Sequence, residues 1–326
     1  MSDAAQRLGL VVRDSYLHGN PTRPIDPGEI EAERAHLSQI TGWDIRYLHY
    51  DRMANDDPMF CHAQFLEAVE ALKPVFIWYR PSTVFPLIHR NLRPEVLYAA
   101  RALFGARLIF SFGDLATPFL ATYVSGYAAI GDVSVASDGN AARLAPLAPG
   151  AVVLDLWPCV DPRIFRDPDA GRDIDVCFAG SRDRTPERRG LRAELPGLGV
   201  SVVARGEGDG QLSVPDYVGL LNRSKISLNF SQTKDGAHQI KARVIESILS
   251  GALLFESENG VTSRYLSPYR HYVPFSTAAD LATKIRRYLT NDPGRRAIVA
   301  AAKAHVAATL SERIWWRRVL EALGGR

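Results

Sequence analysis

Short apolar runs alternate with helix-length segments along almost the whole chain, and that alternation leaves few folds open. Leu8–Val12, Asp44–His49, Val75–Tyr79, Arg107–Phe112, a short piece within 128–136, and Val152–Leu156 read as strands. Between them, Pro27–Gln39, Pro58–Leu72, Pro94–Phe104 and Asn140–Leu144 read as helices. Strands separated by helices build parallel sheets covered on both faces. A second series follows. Its strands are expected at Ile174–Ala179, Val200–Ala204, Lys225–Phe230, Ala252–Phe255 and Tyr272–Phe275. Its helices are expected at Pro186–Leu195, Tyr217–Asn222, Gln239–Ser250, Ala279–Thr290, Pro293–Leu310 and Glu312–Leu323. Between the two series, WPCVDPRIFRDPDAGRD (Trp157–Asp173) is rich in Pro, Asp and Arg and reads as a linker or hinge.

At 326 residues the chain suits two domains. The predicted fold class is α/β, with two doubly wound, Rossmann-like domains facing a cleft, where such folds bind ligands. The expected boundaries are 1–158, 159–310 and a terminal helix over 311–326.

Net charge is only +3, which argues against a nucleic-acid partner. No apolar run approaches the roughly 20 residues that span a bilayer. The start, MSDAAQRLGLVVRDSY, lacks a basic region followed by a long apolar core, so no signal peptide is read and a cytoplasmic location is expected. Cys61, Cys159 and Cys177 stand apart without CxxC spacing, which fits a reducing compartment and gives no disulfide framework or zinc site. The histidines show no metal-ligand spacing, so no metal is expected. Trp315-Trp316 in the last helix reads as docking surface, with an interfacial helix as the alternative.

The segment Tyr217–Asn259 concentrates the polar chemistry. It reads as strand, polar Gly-containing loop (Ser231–His238), helix and strand, the unit that places a helix N-terminus over a phosphate-bearing ligand. On the helix Gln239–Ser250, Val244, Ile245, Ile248 and Leu249 share one face, and Gln239, Arg243, Glu246, Ser247 and Ser250 the other. That polar face is either solvated or turned to a ligand. In the second case Arg243 meets a phosphate with its planar fork, Glu246 accepts from a ribose diol, and Lys241 adds positive charge. His238 is the histidine of the loop. FAGSRDRTPERRG (Phe178–Gly190) follows the same logic: Gly180 permits close backbone approach, Ser181 offers a hydroxyl, and Arg182, Arg184, Arg188 and Arg189 make the loop basic. In the first half, His18-Gly19-Asn20 follows the first strand. His18 is a candidate acid–base group there, or part of an ordinary turn. Asp114, in SFGDLATPF, is either a helix cap or a catalytic base. Trp78, Tyr79 and Arg80 end another strand, as acceptor contacts or as packing.

Three blocks carry a family resemblance over about residues 155–320: WPCVDPRIFRDP, DIDVCFAGSRDRTPERRGLRAEL, and YVGLLNRSKISLNFSQTKDGAHQIKARVIESILSGALLFESEN. In this order the chain resembles the donor-binding domain of group-1 glycosyltransferases of the GT-B fold, nearest the bacterial spore-maturation-protein-like branch. The resemblance implies a glycosyltransferase that uses a nucleoside-diphosphate sugar as donor substrate, with no tightly bound cofactor and no metal. It implies Gly180 and Ser181 beside the diphosphate, Lys241 and Arg243 neutralising it, and Glu246 on the donor ribose, with Arg182, Arg184 and His238 as further donor-binding candidates. It also implies a last helix packing back on the first domain. Gly19, Asn20, Tyr79 and Arg80 fall on the acceptor side, and Asp114 and His18 are the candidate bases. Many retaining members carry two glutamates eight positions apart. Here His238 stands eight before Glu246, which leaves retaining and inverting chemistry both open. The alternatives are a nucleotide-sugar epimerase or hydrolase, or a module that binds a nucleotide-sugar or a protein partner without catalysis. The acceptor is unidentified.

Overall fold

The computed structural model describes residues 7–13, 27–53, 58–81, 91–180, 185–206 and 212–324. Of the expected site residues, His18, Gly19, Asn20, Ser181, Arg182 and Arg184 lie outside the described residues. The chain divides into two units, Met1–Leu156 with Trp316–Arg326, and Trp157–Trp315.

The first unit runs β1 (Leu8–Arg13), α1 (Pro27–Thr41), β2 (Asp44–His49), α2 (Tyr50–Met53), α3 (Pro58–Leu72), β3 (Phe76–Tyr79), α4 (Pro94–Phe104), β4 (Arg107–Phe112), α5 (Pro118–Ala128), β5 (Val133–Ala136), α6 (Ala141–Leu144) and β6 (Val152–Asp155). Its strands lie in the order β2-β1-β3-β4-β5-β6, and every pair is parallel. A parallel sheet covered on both faces needs strands that are apolar throughout. Accordingly Leu10, Val11, Val12, Phe76, Ile77, Leu108, Ile109 and Phe110 are buried.

The second unit runs β7 (Ile174–Ala179), α7 (Pro186–Glu194), β8 (Val203–Arg205), α8 (Val214–Arg223), β9 (Ser224–Asn229), α9 (Ala242–Leu249), β10 (Leu253–Ser257), β11 (Val273–Phe275), α10 (Ala278–Thr290) and α11 (Asp292–Thr309). Its sheet order is β11-β10-β9-β7-β8, again parallel throughout. Phe178, Phe230 and Phe275 meet edge to face at its centre, with 5.5 Å between ring centroids. The last helix, α12 (Glu312–Gly324), returns the chain to the first unit at Trp316. Trp316 packs edge-on to Trp78 at 4.8 Å and lies 6.3 Å from Phe76. Trp315 and Trp316 are both buried, which excludes the interfacial-helix reading of this pair.

Each sheet is doubly wound and has one point where the chain reverses its direction of strand addition. In the first unit that point lies between β1 and β3, and in the second between β7 and β9. Ligands of open parallel sheets bind outside the carboxyl ends of the two strands at such a point.

Three expectations are corrected. The stretch over 157–173, expected as a linker or hinge, is part of the second unit. Trp157, Val160 and Phe165 are buried, and Arg172 donates to the backbone oxygens of Leu221, Ser224 and Ser250 at 3.1, 2.8 and 2.8 Å. Those oxygens lie where α8 and α9 end, and helix ends leave carbonyls in need of donors. Helix α5 carries no sequence signal of its own, because PFLATYVSGYA is apolar on all sides and lacks a 3.6-residue period. Helix α9 begins at Ala242, three residues later than the sequence predicts. The residues before it close on themselves instead: Gln232 and His238 pair antiparallel, Gln239 N donates to Ser231 O at 3.2 Å, and Gly236 takes φ +80° in the turn.

Candidate functional site

The carboxyl ends of β7 and β9 bring together Gly180, Asn229 and, from the first turn of α9, Arg243. Gly180 has φ +138°, a conformation that side chains rarely adopt. A Cβ at this position would lie 2.9 Å from Arg243 Nη2, so the guanidinium occupies the space a side chain would fill. Its carbon also sits 5.8 Å from the centroid of Phe178. Arg243 Nη1 donates to Asn229 Oδ1 at 3.3 Å. Among the described residues no carboxylate lies within ion-pair distance of Arg243. Lys241 stands at the N-cap of α9 and makes no side-chain cap, so the first amides of the helix receive no capping bond from it.

One turn along α9, Glu246 is 7% exposed and accepts from the Tyr217 hydroxyl at 2.7 Å. Burial pushes its carboxyl above the ordinary range, while the Tyr217 bond and the nearby Arg243 charge pull it down. Tyr217 is supported in turn by Phe165, edge to face at 5.8 Å. Ser247 and Ser250 are fully buried, and the Ser247 hydroxyl pairs with that of Ser227 at 2.9 Å. The polar face of this helix is therefore not a solvated one. It is fastened into the sheet at Ser247 and carries Glu246 at the edge of the site.

On the other side of Asn229 lies Glu256, at the end of β10 and fully buried. It accepts from Asn229 Nδ2 at 2.6 Å, from Asn259 Nδ2 at 3.0 Å and from the Ser231 hydroxyl. Burial outweighs these bonds and raises its carboxyl to about 7. Lys241 Nζ donates to Phe230 O at 2.6 Å, so this side chain pins the start of the 231–238 loop as well as contributing charge. Glu187, in the first turn of α7, faces His238, Ser257, Lys241 and Arg188. Desolvation raises its carboxyl, with those groups opposing the rise. Arg188 is 3% exposed and lies over Phe178 and Phe230 at 5.1 and 5.7 Å, whereas Arg189 is exposed. The basic loop thus splits into a packed and a solvated arginine.

In the first unit, Arg80 and Asp114 line one small pocket with Ser111, Phe112 and Gly113, at the carboxyl ends of β3 and β4. Asp114 is not a helix cap. It is exposed, takes φ +56°, and its backbone oxygen accepts from Thr117 N and Oγ1 at 3.2 and 2.7 Å, while Thr117 occupies the cap position of α5. Beside it, Asp138 is 2% exposed and accepts from Leu115 N at 2.7 Å. Burial raises its carboxyl to about 6, and the Asp114 charge adds to the rise. Tyr79 is not an acceptor contact. It is fully buried between Tyr50, Phe110 and Tyr127, and its hydroxyl donates to Asn91 and accepts from Leu92 N.

The structure thus joins Gly180, Arg243 and Glu246 in one place and keeps Lys241 and His238 in the adjoining loop. Sequence reasoning missed Asn229, Glu256, Tyr217 and Glu187. Two of these carry a signal: ISLN and LLFE each end a buried apolar strand on a polar residue, where a parallel sheet presents its functional end.

Residues 183–321 match the family model described as glycosyl transferase-like. Among solved structures the chain is similar to a glycosyltransferase from Rickettsia africae (TM-score 0.59, 14% identity, 97% of each chain covered). It is also similar to Anabaena HepE in complex with UDP-glucose (0.60, 11%, 98% of this chain and 100% of that one). A third match is sucrose-phosphate synthase from Thermosynechococcus elongatus (0.61, 12%, 98% and 100%). No curated protein sequence matches the chain.

Proposed function

We propose, for a chain whose residues 183–321 are glycosyl transferase-like and whose two units have the GT-B type of fold, that it moves a glycosyl group from a nucleoside-diphosphate sugar to an acceptor. The observation that carries this reading is the Arg243 guanidinium. It lies against the Cβ-less face of Gly180 at the β7/β9 reversal point, and among the described residues no carboxylate makes an ion pair with it, Glu246 acting on it only through its field. Cleavage of a sugar–phosphate bond develops negative charge on the departing diphosphate. A fixed guanidinium and the uncapped amides of α9 stabilise that charge more in the transition state than in the ground state. This assigns the charge neutralisation to side chains and backbone, with Lys241 as a second cation, and makes the reaction metal-independent. Glu246, held by Tyr217, accepts from the ribose diol. The UDP and UDP-glucose bound to the Anabaena protein make uridine nucleotides the first donors to test.

On the acceptor side, Asp114 is the candidate base and Arg80 a contact for an anionic or polyhydroxylated acceptor. Whether the product keeps or inverts its anomeric configuration decides if Asp114 deprotonates the attacking hydroxyl, since only an inverting transfer requires that base.

The test is a thermal-shift titration with UDP, UDP-glucose and other nucleotide-sugars, followed by donor turnover with and without candidate acceptors. Binding should raise the melting temperature, by more for a tighter ligand at the same concentration. Arg243→Ala and Glu246→Ala should each weaken the shift at least tenfold in apparent Kd, the loss of a charge-assisted hydrogen bond. Donor consumption that is unchanged by any acceptor would favour hydrolysis or epimerisation over transfer. Unchanged affinity in both variants would remove the site assignment.

A further inference from the structure

Arg243 is oriented by an amide rather than by a carboxylate, and the carboxylate stands one residue behind. Asn229 Oδ1 accepts from Arg243 Nη1 at 3.3 Å, and Asn229 Nδ2 donates to Glu256 Oε2 at 2.6 Å. Glu256 presents only acceptors to Asn229 when ionised. Turning the amide over would set oxygen against carboxylate and N–H against guanidinium, two repulsions at once. Glu256 is itself fixed by Asn259 Nδ2 and the Ser231 hydroxyl, and it is fully buried. The amide direction, and with it the direction of the guanidinium, is therefore set from β10.

We propose that Glu256 and Asn229 form a positioning relay that aims Arg243 at an anionic ligand without an ion pair to the guanidinium. A carboxylate at position 229 would aim the guanidinium equally well and would cancel its charge. A neutral amide polarised by a buried carboxylate separates the two effects. The inference rests on the assignment of Arg243 to the donor diphosphate made above. It adds that Asn229, a residue of nearly the same shape as Asp, is needed for its neutrality.

The experiment compares Asn229→Asp, the double variant Asn229→Asp/Glu256→Gln, and Arg243→Ala, each as the full chain at pH 8. Melting temperature is read without ligand, and apparent Kd is read for UDP, ADP, GDP and CDP. Asn229→Asp sets two carboxylates against each other, so it should lower the melting temperature and weaken nucleotide affinity about tenfold or more. In the double variant the amide introduced at position 256 donates to the carboxylate introduced at position 229, so the hydrogen bonds return and the melting temperature recovers. The affinity should stay about tenfold or more below that of the wild type, because the new carboxylate neutralises Arg243. Recovery of affinity together with stability would make the role purely structural and overturn the relay. So would wild-type affinity in Asn229→Asp alone. If Arg243→Ala binds as the wild type does, or if the wild type binds none of the four nucleotides, the diphosphate assignment itself fails and takes the relay with it.

Discussion

Glu256 shows how one buried carboxyl couples the site to pH. Its folded-state value is about 7 against an ordinary 4.5, because burial disfavours the charged form more than its hydrogen bonds favour it. A carboxyl raised on folding stabilises the protein most below its unfolded value, and that contribution is lost as pH rises to about 7. The loss is at most about 3–4 kcal/mol, at about 1.4 kcal/mol per pH unit. Glu256→Gln cannot titrate. Its stability relative to wild type should therefore improve between about pH 4.5 and about pH 8, by up to about that amount. Denaturant melts at several pH values measure this. A constant difference across the range would show that Glu256 does not titrate there. Glu246 is raised in the same direction but holds a donor in Tyr217, so a slope smaller than the wild type's should persist in Glu256→Gln.

At the scale of elements, the turn that ends β7 has a backbone requirement and a steric one, and they can be separated. Gly180 combines φ +138° with an Arg243 atom 2.9 Å from where a Cβ would stand, while Gly199 has φ +72° and open space around it. Gly180→Ala should cost roughly 1–3 kcal/mol in strain and also displace Arg243, weakening nucleotide binding. Gly199→Ala should cost about 1 kcal/mol and leave binding unchanged. Equal binding losses in the two variants would contradict the contact. This turn also marks how far the sequence reaches. Gly180, Arg243 and Glu246 are legible because a Gly after an apolar strand and a polar helix face have local patterns. The strands Arg107–Phe112 and Ile174–Ala179 are legible because buried parallel strands are short apolar runs between helices. Asn229 and Glu256 are adjacent only because β9 and β10 pair in register, Glu256 beside Asn229. No local pattern encodes a partner 27 residues away. Tyr79 stays open in the sequence between packing and acceptor contact for the converse reason: at the end of a strand, an aromatic that faces the core and one that faces a ligand look alike.

At the scale of the molecule, the chain completes its first unit last. Trp316 is 1% exposed, lies edge-on to Trp78 and near Phe76, and belongs to the unit formed by residues up to Leu156. The first sheet is thus finished by residues that follow the whole second unit. Both sheets are built from their own strands, and each has its own buried core. Trp316→Ala should remove about 3–5 kcal/mol of packing from the first unit alone. Hydrogen exchange should then show faster opening of amides in β1 and β3, with β7 and β9 protected as in the wild type. UDP affinity, which the proposed site assigns to Gly180, Asn229, Arg243 and Glu246 of the second unit, should stay within about twofold, because independent sites are additive. If β7 and β9 lose protection in step with β1 and β3, the two units unfold as one, and a donor site that depends on the second unit alone is the wrong description.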